Sequence, residues 1–260
     1  MKTKKQHTAL EVTDLCIGYG SISVCDNINF TLLQGELTAI VGGNGIGKST
    51  LLRTLGNFQS KISGTIKIDG KNLGNHNTLE LASKISVVLT EPVASKNMTV
   101  TELIALGRQP YTNWIGRLTK KDKTQINKSI QLLELEDLKN KRCFELSDGQ
   151  LQRVMIARAL AQDTHVILLD EPTTHLDLYH KVQILKLLKF IANKTQKTIL
   201  FTSHEIEMTI QLSDKILILN GKENPFDEPC KLIENKHFEG LFPKDAIAFD
   251  AQTGSFRIRK

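Results

Sequence analysis

The sequence predicts an α/β fold with a β-rich start and a helical insert. Three observations predict it. Short apolar runs of strand length recur along the chain, bounded by glycine and other turn residues. One of them, 36–41, leads into a glycine-rich turn and then a helical run at 49–57. From about 97 to 162 the β-branched alternation fades, and helical spacing replaces it at 100–107, 122–134 and 149–162. With 40% hydrophobic and 24% charged residues among 260, there is enough apolar material for a sizeable core, so disorder is excluded as the main state.

Taken in order, 9–15 and 28–32 alternate in the period of half-buried strands, with Gly20 and Gly35 as punctuation. The run 36–41 is a fully apolar, buried strand. Further strands are expected at 65–70 and 85–89. After the insert, strands return at 166–169, 198–201 and 215–219, with a helix at 179–193 between the first two. The tail, 246–258, reads as a hairpin turning near Thr253 and Gly254. The β-rich start, α/β core, helical insert and second α/β stretch follow one another without an internal repeat or a low-complexity linker.

Lys and Arg number 34 against 28 Asp and Glu, a formal charge of +6. That excess points to an anionic partner: nucleic acid, a membrane surface or phosphates. The N-terminus is basic (Lys2, Lys4, Lys5), but no apolar stretch of about 7–15 residues follows, so no secretory signal is expected. No run approaches the roughly 20 apolar residues of a membrane-spanning helix. A cytoplasmic protein, free to dock on a membrane, is the expectation. Cys16, Cys25, Cys143 and Cys230 form no C-x-x-C pair, so reduced thiols are expected rather than a metal site.

Residues 42–50 read Gly-Gly-Asn-Gly-Ile-Gly-Lys-Ser-Thr and fit G-x-x-x-x-G-K-[ST], with Gly42, Gly47, Lys48 and Ser49 at the fixed positions. Glycines let the backbone curl so that successive N–H groups face phosphate oxygens. The following helix adds its positive end. Lys48 would span the outer phosphates and Ser49 would place its hydroxyl on Mg²⁺. The apolar run 166–169 ends in Asp170 and Glu171. A strand-end Asp supports Mg²⁺ in such nucleotidases, and a neighbouring carboxylate can polarise water for in-line attack. His204 ends the strand 198–203, at the same predicted edge.

The segment Leu146-Ser-Asp-Gly-Gln150 heads an amphipathic helix. It resembles the L-S-G-G-Q signature loop of ATP-binding-cassette ATPases, and the other stations of that family follow in order over residues 10–225. Tyr19 resembles the aromatic that stacks on adenine. Gly42, Gly43, Asn44, Gly45, Ile46, Gly47, Lys48, Ser49 and Thr50 resemble the Walker A loop, and 166–171 the Walker B strand. Thr174-His-Leu-Asp177 resembles the D-loop, and Ser203-His204 the switch histidine. The resemblance implies a RecA-like P-loop core, an N-terminal antiparallel β subdomain and a helical subdomain inserted at about 97–162, with 226–260 as an extension. It implies ATP and Mg²⁺ as cofactors, with Glu171 and His204 catalytic. Ser147, Gly149 and Gln150 would face the ATP held by a second copy, so that hydrolysis needs a homodimer.

Two positions depart from the pattern. Asp148 stands where glycine is usual and is expected to point away from the phosphates. Glu91 stands in the segment 87–92, where the family's Q-loop glutamine should fall. It is either a ligand of Mg²⁺ or a plain loop acid. The stretch from Met98 through Gly107, Arg108 and Pro110 to Tyr111 resembles the M-T-V-x-E-L-V-x-x-G-R-x-P segment of importers for iron–siderophore complexes, haem and vitamin B12. The resemblance therefore implies an importer ATPase on the inner face of a bacterial membrane, docked to two permease subunits and served by a substrate-binding protein, with no nucleic-acid partner. The bland reading of the same stretch puts Leu103, Ile104 and Leu106 in the core. Trp114, the sole tryptophan, is either a docking aromatic or subdomain packing. A cassette ATPase acting on nucleic acid is the rival, favoured only by the positive charge.

Overall fold

A computed structural model describes residues 7–91, 96–242 and 247–258. Lys2, Lys4, Lys5, Pro92 and Ala246 lie outside them. Strands β1 (Thr8–Tyr19) and β2 (Ile22–Leu33) form a long antiparallel hairpin. Strand β3 (Leu37–Gly42) then runs into α1 (Lys48–Leu55). Strands β4 (Ser63–Ile68) and β5 (Lys71–Asn72) complete a four-stranded sheet in the order β2-β1-β4-β5. The short helix α2 (Thr78–Ala82) precedes β6 (Ile85–Val88).

The insert holds α3 (Val100–Ala105), α4 (Lys120–Leu132) and α5 (Asp148–Ala161). It is followed by β7 (Val166–Leu169), α6 (Leu178–Thr195), β8 (Thr198–Thr202), α7 (Ile206–Leu212) and β9 (Lys215–Leu219). The described residues end with β10 (Phe226–Asp227), α8 (Pro229–Glu234) and the hairpin β11 (Ile247–Asp250) with β12 (Ser255–Ile258). The main sheet has the order β10-β9-β3-β8-β7-β6, parallel from β9 to β6, with β10 antiparallel at its edge.

The parallel strands carry no polar face because both faces are covered. In β7, Ile167 and Leu169 enter the core shared with the insert, whereas Val166 and Leu168 enter the core under the antiparallel sheet. The alternation repeats in β8, with Ile199 and Phe201 on one side and Leu200 on the other. Two-sided burial explains why the sequence shows these strands as continuous apolar runs.

Three helices of the insert begin with reciprocal caps: Thr99 with Glu102, Thr119 with Asp122, and Ser147 with Gln150. The helix expected at 100–107 stops at Ala105 and tightens into a 3₁₀ turn, Leu106–Tyr111. Gly107 permits this, because a Cβ there would collide with the carbonyl of Arg158 on α5. Leu103 and Ile104 are buried and Leu106 is half-buried, as the bland reading expects. Next to them Arg108 is buried and forms an ion pair of 2.8 Å with buried Asp122. Its guanidinium also donates to the carbonyl of Ala161 at 2.8 Å. One buried cation thus joins the 3₁₀ turn, the start of α4 and the end of α5. The helices α2, α7 and α8 are not apparent in the sequence, because five to seven residues give too little periodicity.

At the C-terminus Gly254 adopts φ 64° and its N–H donates to the carbonyl of Asp250 at 2.8 Å, which closes the last hairpin. Phe249 and Phe256 of that hairpin pack with Phe238 and Phe242. The backbone N–H of Phe256 donates to Glu207 on α7 at 2.8 Å, so the hairpin is tied to the helix that follows His204.

The buried pair predicts a stability effect. Burial alone would raise the carboxyl pKa of Asp122, but hydrogen bonds from Thr119 and Arg108 outweigh it and hold the group below the ordinary carboxylate range. Its depressed folded-state pKa contributes stability above about pH 4, which is lost as pH falls through the lower value. Asp122→Ala is expected to lower unfolding free energy by about 3–5 kcal/mol in urea titrations, because it strands the Arg108 charge. Asp122→Asn should lose less stability than the parent between about pH 5 and pH 3.

Candidate active site

The loop after β3 carries the phosphate-type motif. Gly47 adopts φ 109° as the N-cap of α1, a conformation that a side chain would strain. No side chain caps α1 and no acid sits in its first turn, so its positive end is left for a ligand. Asn44 and Gly45 line the cavity above it, Gly43 is exposed beside them, and Ile46 turns back against the core. Buried Lys48 donates from Nζ to the carbonyls of Gly42 and Gly43, both at 3.0 Å. Burial pushes its pKa down, while Glu171 and Asp170 pull it back up. Tyr19 lies at the cavity rim, with its hydroxyl 3.3 Å from Thr50 Oγ1 and its ring 60% exposed.

The acids stand on the neighbouring strand end. Asp170 is buried, and its Oδ1 accepts from Ser49 Oγ at 3.0 Å and from Thr202 Oγ1 at 2.7 Å. The same Thr202 hydroxyl accepts the N–H of Glu171 at 2.8 Å. Glu171 itself has φ 46°, a strained value for a non-glycine residue. One of its carboxylate oxygens lies 2.7 Å from His204 Nε2 and the other accepts from Thr174 Oγ1 at 2.9 Å. Tyr19, Lys48, Ser49, Glu171 and His204 therefore line one cavity. Glu171 and Asp170 also line a second cavity, with Glu91, Asp148, Thr174 and His175.

Not every candidate meets there. Ser147, Gly149 and Gln150 form the capped N-terminus of α5 and do not line the Lys48 cavity. Asp148, the first residue of α5, opens on the second cavity of its own chain. Asp177 caps α6 through the N–H of His180 at 2.9 Å, and the His180 ring lies against Gly149. Glu91 Oε1 accepts from Arg53 at 2.7 Å rather than meeting Ser49 or Asp170. Trp114 is 93% exposed, which excludes packing within this chain.

Thr202 escaped the sequence reading. It is the first polar residue after an apolar run, but its partner Asp170 is 32 residues away. Only the register of Leu169 with Phe201 brings the two strand ends together. Thr174 enters the sequence reading only as the start of the D-loop segment, and its hydrogen bond to Glu171, three residues back, depends on the turn between them.

A phosphate-type loop between a buried strand and a helix, with paired acids and a histidine on the adjacent strand ends, defines a P-loop nucleotidase. The chain belongs to the ABC transporter family, whose model matches residues 25–174. Its fold is the α/β fold of the ABC ATPases, and the family's ATP-binding chains hydrolyse ATP to power transport. It is 38% identical to the uncharacterized ABC transporter ATP-binding protein MJ0873 of Methanocaldococcus jannaschii, over 96% of this chain and 87% of that one. It is also 38% identical to the petrobactin import ATP-binding protein YclP of Bacillus subtilis, over 90% of this chain and 92% of that one. A solved inward-facing transporter assigned to the metal-chelate ABC type superposes with a TM-score of 0.79 at 29% identity, over 90% of this chain and 89% of that one.

Thr202→Val removes the hydroxyl that bridges Asp170 and Glu171. ATP turnover, read as phosphate release, is expected to fall about ten-fold or more. Turnover equal to the parent's would show that the bridge is idle.

Proposed function

We propose that this chain is the ATPase subunit of a bacterial importer that takes up an iron chelate of the siderophore class. The petrobactin import relative and the metal-chelate neighbour support the cargo class. Among the described residues no helix is long and apolar enough to cross a membrane, which suits a subunit docked beneath separate permease subunits at the inner-membrane face. In this reading residues 10–225 are the ATPase domain, 97–162 its helical subdomain and 226–260 an extension. The partners are a second copy, two permease subunits and, indirectly, a substrate-binding protein. Nucleic acid is not among them.

One observation carries the catalytic assignment: Lys48, Ser49, Glu171 and His204 line a single cavity. ATP would lie with its adenine on Tyr19 and its phosphates on the backbone of residues 42–50. Ser49 Oγ and Asp170 Oδ1 are oxygen donors 3.0 Å apart. That separation matches an octahedron edge at bonds of about 2.1 Å, so these residues fit Mg²⁺, which when bound would neutralise phosphate charge. Among the described residues no cluster of three or more His, Cys, Asp or Glu offers a different metal site. Glu91 is held by Arg53 in this state and would reach a ligand only by releasing it.

Lys48 then exchanges its two loop carbonyls for phosphate oxygens. Glu171 accepts the proton of the attacking water, and His204 orients Glu171 and stabilises developing γ-phosphate charge. The capped start of α5 lies outside this cavity, so Ser147, Gly149 and Gln150 would act on the ATP of the partner copy, as an anion site at a helix N-terminus. Asp177 would hold the facing loops in place. Closing two copies over ATP is the state that nucleotide favours, and that closure would draw the permease subunits together.

Glu171→Gln is expected to keep ATP affinity, to lose turnover at least about 100-fold, and to run as a dimer with ATP on gel filtration. A fully active monomer would refute the role of Glu171. Lys48→Ala should abolish nucleotide binding in calorimetry, whereas unchanged affinity would refute the phosphate-loop assignment.

A further inference from the structure

The turn 113–116, just before α4, has no role in the site described above. The N–H of Gly116 donates to the carbonyl of Asn113 at 2.8 Å, and the N–H of Arg117 donates to Asn113 Oδ1 at 3.0 Å. Trp114 and Ile115 occupy the two middle positions of this turn. They are 93% and 69% exposed, so the tip protrudes with almost no contact to its own chain. Its base is firm. The Arg108 guanidinium sits 4.0 Å from the centre of the Tyr111 ring and pairs with buried Asp122, and Thr119 caps α4. The tip is a protrusion on a clamped base.

Behind the tip lie Arg117, Lys120, Lys121 and Lys123, all exposed. Among the described residues none of these four carries an ion pair. The single acid of 113–123 is Asp122, and it is turned inward onto Arg108. Two bulky apolar side chains therefore project beside four uncompensated cations. Tryptophan favours the boundary between headgroups and acyl chains. Lys and Arg are drawn to anionic headgroups, and each contributes about a five-fold gain in binding near such a surface.

We propose that the turn 113–116 and the basic segment 117–123 form a membrane-surface anchor, which places Trp114 and Ile115 in the interface of a bilayer rich in anionic phospholipid. The apolar tip supplies insertion and the cations supply preference for negative charge. A single wedge of this kind gives reversible attachment and fixes the orientation of the helical insert towards the bilayer.

The full chain is mixed with vesicles of phosphatidylglycerol and phosphatidylcholine, or of phosphatidylcholine alone. Trp114 is the sole tryptophan, so its emission reports this site only. A blue shift and co-sedimentation are expected with the anionic vesicles, weakening as salt is raised. Lys120→Ala, Lys121→Ala and Lys123→Ala together should weaken vesicle binding about 100-fold. Trp114→Ala with Ile115→Ser should abolish it, with far-UV circular dichroism and ATP affinity unchanged. No shift with anionic vesicles, or an equal shift with neutral ones, would overturn the proposal. A shift that appears only with detergent-solubilised permease would also overturn it, in favour of a protein contact.

Discussion

The parallel ladders that join β3 to β8 and β8 to β7 are the constraint on which the site depends. Ile40 is in register with Thr202, and Leu169 with Phe201. The glycine loop, the two acids and His204 therefore emerge at one sheet edge, although they come from three distant parts of the chain. A slip of one residue would move Thr202 by about 3.3 Å, more than a hydrogen bond tolerates. Asp170 and the N–H of Glu171 would then lose their common partner. Burial of both faces of the sheet holds these strands, while the hydroxyl of Thr202 ties their ends.

The charged groups of the site are all satisfied within the chain in this state. Lys48 is bound to its own loop carbonyls, and Glu171 to His204 and Thr174. Nucleotide would thus exchange partners rather than meet bare charges, and this keeps desolvated groups paired throughout. The left-handed backbone of Glu171 fits the same picture. A strained residue persists where its surroundings over-determine it, and here three hydrogen bonds do so. The α5 N-terminus, by contrast, stands outside the cavity. In the proposed reading a single copy is an incomplete catalyst, because geometry within one chain does not bring that helix end to its own phosphate loop.

The insert divides its motif between packing and exposure. Gly107 and Arg108 belong to the segment that resembles chelate importers, yet both are explained by contacts within the chain: close approach to Arg158 and a buried pair with Asp122. Trp114, a few residues later, goes the other way. Residue type alone left both outcomes open for each of them, since an arginine can be buried when paired and a tryptophan can be exposed when it has a partner elsewhere. The positive charge of the chain sharpens in the same manner. Lys48 serves the phosphate loop, whereas the uncompensated cluster lies on the insert.

The parallel strands of the main sheet, the helices of the insert, the phosphate loop and the strand-end acids were legible in the sequence. Each is a local pattern: an apolar run, a helical spacing of apolar residues, a fixed spacing of glycine and lysine. Such patterns act over a few residues of chain, and local chemistry suffices to specify them. The tertiary structure decided what lies side by side. It joined Thr202 to Asp170, Glu171 to His204, and Glu91 to Arg53, and it buried Arg108 while leaving Trp114 in the open. These outcomes rest on strand register and on packing between distant segments, and neither leaves a periodic mark on the sequence.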